Sequence, residues 1–181
     1  QRDETFGTNK WHHIANFISR GFATESESIG ERYLLFEIVS GLRFHSRSEG
    51  LALIQSEAAV EEIERLVSVL AGAGISKVRI TGGEPFVRTD LMDLMQQIVQ
   101  VPGIRTLHLT TNGVLTGPHV PRLLAMGLAS VNLSMDTLNR DRFRLITRRD
   151  EFNQVQDTYR LLLESGIPLK VNAVVMDGKN I

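Results

Sequence analysis

The stretch KVRITGGEP at residues 77–85 decides the fold of this chain. Apolar Val78 and Ile80 alternate with polar Arg79 and Thr81, and a glycine pair follows at once. Successive side chains of a strand point to opposite faces of a sheet, so this strand has one apolar and one polar face. The same alternation recurs at residues 105–110, 130–134 and 169–175. Helices can cover only the apolar face, so the polar face must line a wet interior.

Helical patterns separate these strands. Apolar spacing predicts helices at residues 58–73, 91–100, 118–126, 140–146 and 152–165, and a first strand at residues 33–39. Repeated alternation of strand and helix implies crossover connections and a parallel sheet. A flat parallel sheet covered on both faces would show nearly continuous apolar strands, which these are not. We therefore predict an α/β protein, an incomplete (β/α) barrel of parallel strands with a polar lumen; the alternative is a half-exposed antiparallel sheet, against which the helices argue.

Composition excludes several classes of protein. The 181 residues carry 20 Lys and Arg against 21 Asp and Glu, a net charge of −1, which argues against a nucleic-acid partner. Apolar runs are too short for a membrane helix, so no membrane association is predicted. The sequence contains no cysteine, which excludes disulfides, thiolate nucleophiles and Cys-ligated zinc or iron–sulfur clusters within these residues.

The chain divides into a short leading segment and one domain. Residues 1–31 are predicted to be a disordered tail or a targeting segment, since residues 11–24 mix basic, aromatic and hydroxylated residues as a transit peptide does. Nearby acidic residues, such as Glu25 and Glu27, argue against the targeting role. Residues 32–181 are predicted to form a partial barrel truncated after its fifth strand.

Three polar, glycine-bearing segments follow predicted strands, at residues 81–85, 110–113 and 132–136. Ligands of parallel α/β proteins bind at the carboxyl ends of strands, so all three lie on the expected ligand side. Paired glycines let the backbone approach a ligand, and Glu84 offers an acceptor for a ligand ammonium. The alternatives are plain tight turns, with Ser134 and Asp136 capping the next helix.

Two cations on the predicted strands face the lumen. Arg79 and Lys170 together would suit a polyphosphate, and the alternative is a structural ion pair with Glu84 or Asp136. His108 shows no pattern of metal-ligand spacing and is predicted to be a satisfied interior histidine. The run at residues 148–150 is predicted to be a solvated surface turn.

Five motifs in order resemble one family. They are KVRITGGEP at residues 77–85, LTTNG at 109–113, VNLSMD at 131–136, ITRR at 146–149 and VNAVVM at 171–176. This series resembles the GTP 3′,8-cyclase family of radical S-adenosylmethionine (SAM) enzymes, which starts molybdenum-cofactor biosynthesis. The resemblance covers about residues 57–181 and rests on the ordered series rather than on any single motif.

The resemblance implies a radical SAM barrel, two small-molecule ligands and a set of site residues. The reaction is a lyase reaction that converts GTP to a cyclic pterin precursor through a 5′-deoxyadenosyl radical. Residues Gly82, Gly83, Glu84 and Pro85 would hold the methionine part of SAM, and Ser134 its carboxylate or ribose. The GTP contacts of the family would fall on Arg79, Thr110 and Lys170. A homodimer and a mitochondrial-matrix location are also implied, with the cytoplasm as the alternative location.

This chain departs from the family at its iron–sulfur cluster. The family carries Cys-x3-Cys-x2-Cys after its first strand, and a register anchored on residues 42–43 places Ser40, Phe44 and Arg47 at those positions. Serine is a poor iron ligand, phenylalanine has no donor and arginine is a cation. The 4Fe–4S cluster of the family is therefore not supported by this chain, which we predict to be inactive as written, with no catalytic residue assigned.

Three functional interpretations remain open from the sequence. The first is a piece or altered isoform of a GTP 3′,8-cyclase, a family whose members continue with more of the barrel and a second cluster. The second is a catalytically silent SAM- and GTP-binding or regulatory module. The third, an unrelated radical SAM enzyme acting on a peptide, shares GGEP but does not account for residues 170–175 or the Arg148–Arg149 turn.

Overall fold

The computed structural model describes residues 33–39 and 51–55 as backbone and residues 60–176 in full. The strands are β1 (Tyr33–Val39), β2 (Leu51–Gln55), β3 (Lys77–Gly82), β4 (Thr106–Thr111), β5 (Ser130–Ser134) and β6 (Leu169–Asn172). The helices are α1 (Val60–Gly72), α2 (Leu91–Ile98), α3 (Val120–Ala125), α4 (Arg140–Thr147) and α5 (Phe152–Ser165), with short 3-10 turns at Pro85–Val87 and Gly117–His119. The predictions for residues 1–31 and for Ser40, Phe44 and Arg47 lie outside the described residues.

All pairings in the sheet are parallel, as predicted. The strand order is β2-β1-β3-β4-β5-β6, and every neighbouring pair runs in the same direction. Within the described part of the chain, β2 and β6 are the two edges of this sheet and do not pair with each other. The described part of the chain is thus an α/β fold with an all-parallel sheet, which confirms the predicted class.

One strand was missed, and another was predicted too long. Strand β2 comes from the short apolar run LALIQ, which periodicity alone cannot tell from part of a helix. The strand at residue 169 is therefore the sixth and not the fifth of the sheet. This strand was predicted to reach residue 175 but ends at Asn172. Just beyond it, the Val174 amide donates to Asp136 Oδ1 at 2.8 Å and so leaves the sheet ladder.

The alternation of the strands separates a dry core from a half-buried polar face. In β3 and β4, the core side is formed by Val78, Ile80, Leu107 and Leu109, each at most 2% exposed. Helix residues such as Leu66, Leu70, Leu94 and Ile98 complete this cluster. Burying an aliphatic side chain of this size stabilises the fold by about 1.5–3 kcal/mol. The helices therefore hold one face of the sheet and leave the other available.

A smaller apolar cluster supports the carboxyl end of β5. It consists of Leu133, Met135, Phe143, Phe152 and Val155, and the rings of Phe143 and Phe152 meet edge to face at 5.6 Å. Helix α5 ends at Ser165, and Gly166 after it has the left-handed backbone conformation that commonly ends a helix. No helix in the described ranges is both long and apolar enough to cross a bilayer.

Candidate ligand site at the carboxyl ends of the strands

Gly82 is the last residue of β3, and Gly83 directly after it presents backbone to open space. Gly83 is exposed, and a Cβ atom added to it would meet no heavy atom within 4 Å. Pro85 is buried and begins the 3-10 turn that follows. The loop is thus anchored at Pro85 and open at Gly83, an arrangement that leaves room for a ligand against the main chain.

The carboxylate of Glu84 joins this loop to the next one. Its Oε1 accepts from the Phe86 amide at 3.3 Å, and its Oε2 accepts from Thr111 Oγ1 at 2.7 Å and the Asn112 amide at 3.0 Å. An ionised carboxylate offers about four acceptor positions, so these three donors leave room for one more. The binding of a ligand ammonium by Glu84 stays a prediction, and three protein donors already orient this side chain.

A second contact ties the same two loops together. Asn112 Nδ2 donates to the Gly83 carbonyl at 3.3 Å, and Asn112 Oδ1 accepts from the Val114 amide at 2.9 Å.

On the far side of the glycine loop, the Phe86 ring stacks on His119 with 4.4 Å between centroids and 5° between planes. Burial, and secondarily the charge of Arg122, lowers the pKa of His119.

An ion pair closes the turn after the glycine loop. Arg88 Nη2 donates to Asp90 Oδ2 at 2.8 Å, and the side chain of Arg88 is 8% exposed. This hydrogen bond lowers the pKa of the Asp90 carboxyl. The guanidinium binds the carboxylate through two nitrogens, which fixes the direction in which the chain enters α2.

The predicted cations lie on the polar face, as strand parity requires. Arg79 is half-buried, and its Nη1 donates to Thr110 Oγ1 at 3.4 Å. Burial lowers the pKa of Arg79. Lys170 is exposed on β6 and pairs in register with Asn132, which pairs in turn with Thr110. The structure thus brings Arg79 and Thr110 into contact and places Lys170 two strands along the same face.

The alternative of a structural ion pair is wrong for both cations. Within residues 60–176, neither Arg79 nor Lys170 has a carboxylate at ion-pair distance. Asp136 instead accepts from the Val174 amide. Among the described residues, therefore, no carboxylate neutralises the charge of Arg79 or Lys170.

Ser134 lies exposed at the carboxyl end of β5, paired in register with Asn172. The alternative in which Ser134 and Asp136 cap the next helix is wrong, because Asn139 caps α4 by accepting from the Arg142 amide at 3.0 Å. Ser134 thus lies at the carboxyl ends of the strands, as predicted, and its contact with SAM stays a prediction.

His108 is an interior histidine with both ring nitrogens engaged, as predicted. Nδ1 lies 2.7 Å from Ser130 Oγ, and Nε2 lies 3.2 Å from Thr106 Oγ1. The turn at Arg148 and Arg149 is exposed, with Arg149 Nη1 3.6 Å from Glu151 Oε2, as expected of a solvated turn.

The donor set does not fit an iron–sulfur cluster. Such clusters are held by cysteine thiolates, and the sequence contains none. Among the residues that the structure describes, no group of three His, Asp or Glu side chains is arranged to hold a metal ion. The open backbone at Gly83, the vacant acceptor position of Glu84 and the exposed Ser134 do fit a ligand that carries both an ammonium and a carboxylate.

Sequence reasoning missed the roles of Thr111 and Asn112, which join the two loops, and of Thr116 and Thr158, which hold the second loop. Thr111 and Asn112 belong to the segment at residues 110–113, which the sequence places on the ligand side, with a tight turn as the alternative. One signal was present in the sequence: the parity that places Thr110 on the polar face places Thr111 on the apolar face. A hydroxyl at a buried position needs a partner, and here it has Glu84.

Comparison with known proteins identifies related sequences. The model of the radical SAM superfamily matches residues 54–181. The chain is 43% identical over 122 residues to a GTP 3′,8-cyclase of Moorella thermoacetica, covering 67% of this chain and 38% of that protein. It is 45% identical over 121 residues to a GTP 3′,8-cyclase of Petrotoga mobilis, covering 66% and 38%.

A mammalian relative matches in the same way. Molybdenum cofactor biosynthesis protein 1 of Bos taurus is 41% identical over 121 residues, which is 66% of this chain and 19% of that protein. The chain spans well under half the length of these curated relatives. The superfamily match includes strands β3 to β6, the GGEP loop and the helices between them, and the chain belongs to the radical SAM superfamily.

Proposed function

We propose that this chain forms the SAM- and GTP-binding wall of a GTP 3′,8-cyclase, the lyase that makes the cyclic pterin precursor of the molybdenum cofactor. One observation carries the proposal: a polar sheet face with Arg79, Thr110 and Lys170 lies beside a glycine loop held in place by Glu84. The names of relatives at 41–45% identity support the same activity.

Each of the three polar-face residues has a distinct part in binding GTP. Arg79 donates one proton to Thr110, which leaves its other guanidinium donors for phosphate oxygens. Thr110 accepts from Arg79 and therefore keeps its own hydroxyl proton for the nucleotide. Lys170 adds a mobile positive charge further along the face, where it neutralises part of the polyphosphate.

The glycine loop would hold SAM through the main chain. Gly82 and Gly83 bring backbone groups close to the methionine part, Glu84 accepts from its ammonium, and Pro85 anchors the loop. Ser134 would reach its carboxylate or ribose from the next strand end but one. In the family, bound SAM supplies the radical, but the residues present here cannot hold the cluster that this chemistry needs, so no radical step is assigned to them.

A second candidate function follows from the missing cysteines. A chain that keeps the ligand residues and has no thiolate would act as a catalytically silent SAM- and GTP-binding or regulatory module. It would bind GTP or SAM saturably without cleaving either. Incubation with iron, sulfide, reductant and SAM should release no 5′-deoxyadenosine under either function, because neither supplies thiolates for the cluster. Saturable binding of GTP or SAM without turnover supports the module, and the absence of any binding excludes it.

Titration calorimetry with GTP tests the binding proposal. Removing Arg79 costs at least one charged hydrogen bond, worth about 1.5–3 kcal/mol, so Arg79→Ala should weaken GTP binding at least about tenfold. Arg105→Ala is the matched control. Arg105 is exposed and directly precedes β4, at the amino ends of the strands and away from the predicted site, where it bonds Ser76 Oγ. Equal losses in the two variants, or no GTP binding by the wild type, would refute the proposal.

Location and assembly remain predictions. The mitochondrial matrix, with the cytoplasm as the alternative, is tested by fractionation of cells that express the protein at its native level. A homodimer is tested by light scattering on the purified chain across a range of concentrations.

A further inference from the structure

All three buried polar side chains in the described part of the chain surround one loop. Thr111, Thr116 and Thr158 are 2%, 0% and 1% exposed, and each contacts the segment at residues 111–117 that follows β4. A buried hydroxyl without a partner is costly, so three in one place form a network whose geometry matters.

The hydroxyl of Thr111 is the centre of this network, and its hydrogen bonds have only one possible direction. A carboxylate accepts only, so Thr111 gives its single proton to Glu84 Oε2 at 2.7 Å. Its two lone pairs then receive the Gly113 amide at 2.9 Å and Thr116 Oγ1 at 2.7 Å. Thr116 is therefore the donor to Thr111, and the Thr111 hydroxyl has no capacity left for a different arrangement.

Helix α5 fixes the other side of the loop. Thr158 donates to the Gly113 carbonyl at 2.6 Å. A Cβ on Gly113 would lie 2.6 Å from Leu133 Cδ1, and one on Gly117 would lie 2.9 Å from Thr158 Oγ1. The loop therefore packs directly against α5 and β5 and has no room to shift.

We infer that Thr111 is a positioning residue for SAM, because it transmits the fixed geometry of this loop to Glu84 and the glycine loop. The inference rests on the proposed function, since it concerns the same ligand. Thr111 contacts no part of the open space at Gly83; it acts only through the carboxylate that it orients. A loop that is already in its bound geometry loses less conformational freedom when the ligand arrives.

The substitution Thr111→Val tests this, since it keeps the shape and removes the hydroxyl. Thr111→Ser restores the hydroxyl, and Thr147→Val removes a hydroxyl that bonds the Phe143 carbonyl within α4, away from the glycine loop. The readout is the ratio of SAM affinity to GTP affinity, because partial unfolding lowers both affinities by the same factor. We expect Thr111→Val to lower this ratio about tenfold, with the other two variants within about threefold of the wild type.

Hydrogen exchange gives a second readout that needs no ligand. The amides of Phe86 and Asn112 both donate to Glu84, so both should exchange at least about tenfold faster in Thr111→Val and keep wild-type rates in Thr111→Ser. Should Thr111→Val fail to fold, Glu84→Ala removes both acceptor oxygens and should speed exchange of the same two amides.

The outcomes separate the inference from the proposed function. An unchanged affinity ratio in Thr111→Val, or unchanged exchange at Phe86 and Asn112, overturns the positioning role. A wild-type protein that binds neither ligand overturns the proposed function and the role toward SAM with it. Exchange then decides only whether Thr111 orders the glycine loop.

Discussion

The two halves of the sheet differ in how their ligand residues are held. At the ends of β3 and β4, Glu84 is bound by donors from two loops. At the end of β6, Lys170 is exposed and its neighbour Val171 is 44% exposed. The contrast shows that the predicted SAM half of the site is ordered by this chain's own contacts, whereas the Lys170 half is open.

The difference arises from the covering helices. Strands β3 and β4 lie in the middle of the sheet, and their core side packs on α1 and α2. Within the described residues, strand β6 is an edge of the sheet, and its last three residues are exposed. An edge strand keeps unpaired backbone groups and has fewer neighbours, so its side chains are free to follow a ligand.

The largest effect on stability is expected from adding a side chain at Gly113, in the loop that follows β4. Gly113 has a φ of +83° and a Cβ there would lie 2.6 Å from Leu133, so Gly113→Ala combines backbone strain with a clash. We expect a loss of about 3 kcal/mol in the free energy of unfolding, measured with urea.

Gly127→Ala is the matched control for that substitution. Its φ is +76°, and a Cβ there would meet nothing within 4 Å, so only the backbone strain of about 1 kcal/mol applies. Equal losses of unfolding free energy in the two variants would mean that the loop after β4 does not pack against β5.

A smaller effect is expected when valine is replaced by alanine once in the middle of the sheet and once in β6. Val78 in β3 is 0% exposed and Val171 in β6 is 44% exposed. Val78→Ala should cost about 2 kcal/mol of unfolding free energy because it leaves a cavity, and Val171→Ala less than about 0.5 kcal/mol. Urea titration of both variants measures these losses. A similar loss of unfolding free energy in the two variants would contradict the exposure of Val171 in β6.

The sequence predicted the fold well where its pattern was unambiguous. Alternating strands such as Lys77–Gly82 and a long helix such as Phe152–Ser165 appear within a residue or two of their predicted bounds. Strand β2 was missed because five residues without alternation carry no period. The end of β6 was wrong because a tertiary bond from Val174 to Asp136 interrupts the strand, and no local pattern reports such a bond.

The candidate site was predictable as a set of positions but not as a network. Parity alone placed Arg79 and Thr110 on one face, and they are in contact. The bond between Glu84 and Thr111 joins residues 27 positions apart in sequence, and its register depends on how β3 and β4 pair. Thr158 is further still, 45 positions from Gly113, on a helix whose rotation no sequence period fixes to that accuracy.

The smallest predicted effect is a pH dependence at the ordered end. The pKa of His119 is lowered in the folded protein, so the unfolded chain binds more protons as the pH falls below about 6.5. Stability from this group is complete above that pH and declines until the pH passes the folded pKa. Asp90 acts with the same sign in a separate pH window, below about 4, because its pKa is lowered by Arg88.

Replacing the imidazole by a phenyl ring in His119→Phe keeps the stack on Phe86 and removes the titration. Urea midpoints between pH 7.5 and 5 should therefore fall less steeply in His119→Phe than in the wild type, and parallel curves would show that folding does not lower the pKa of His119.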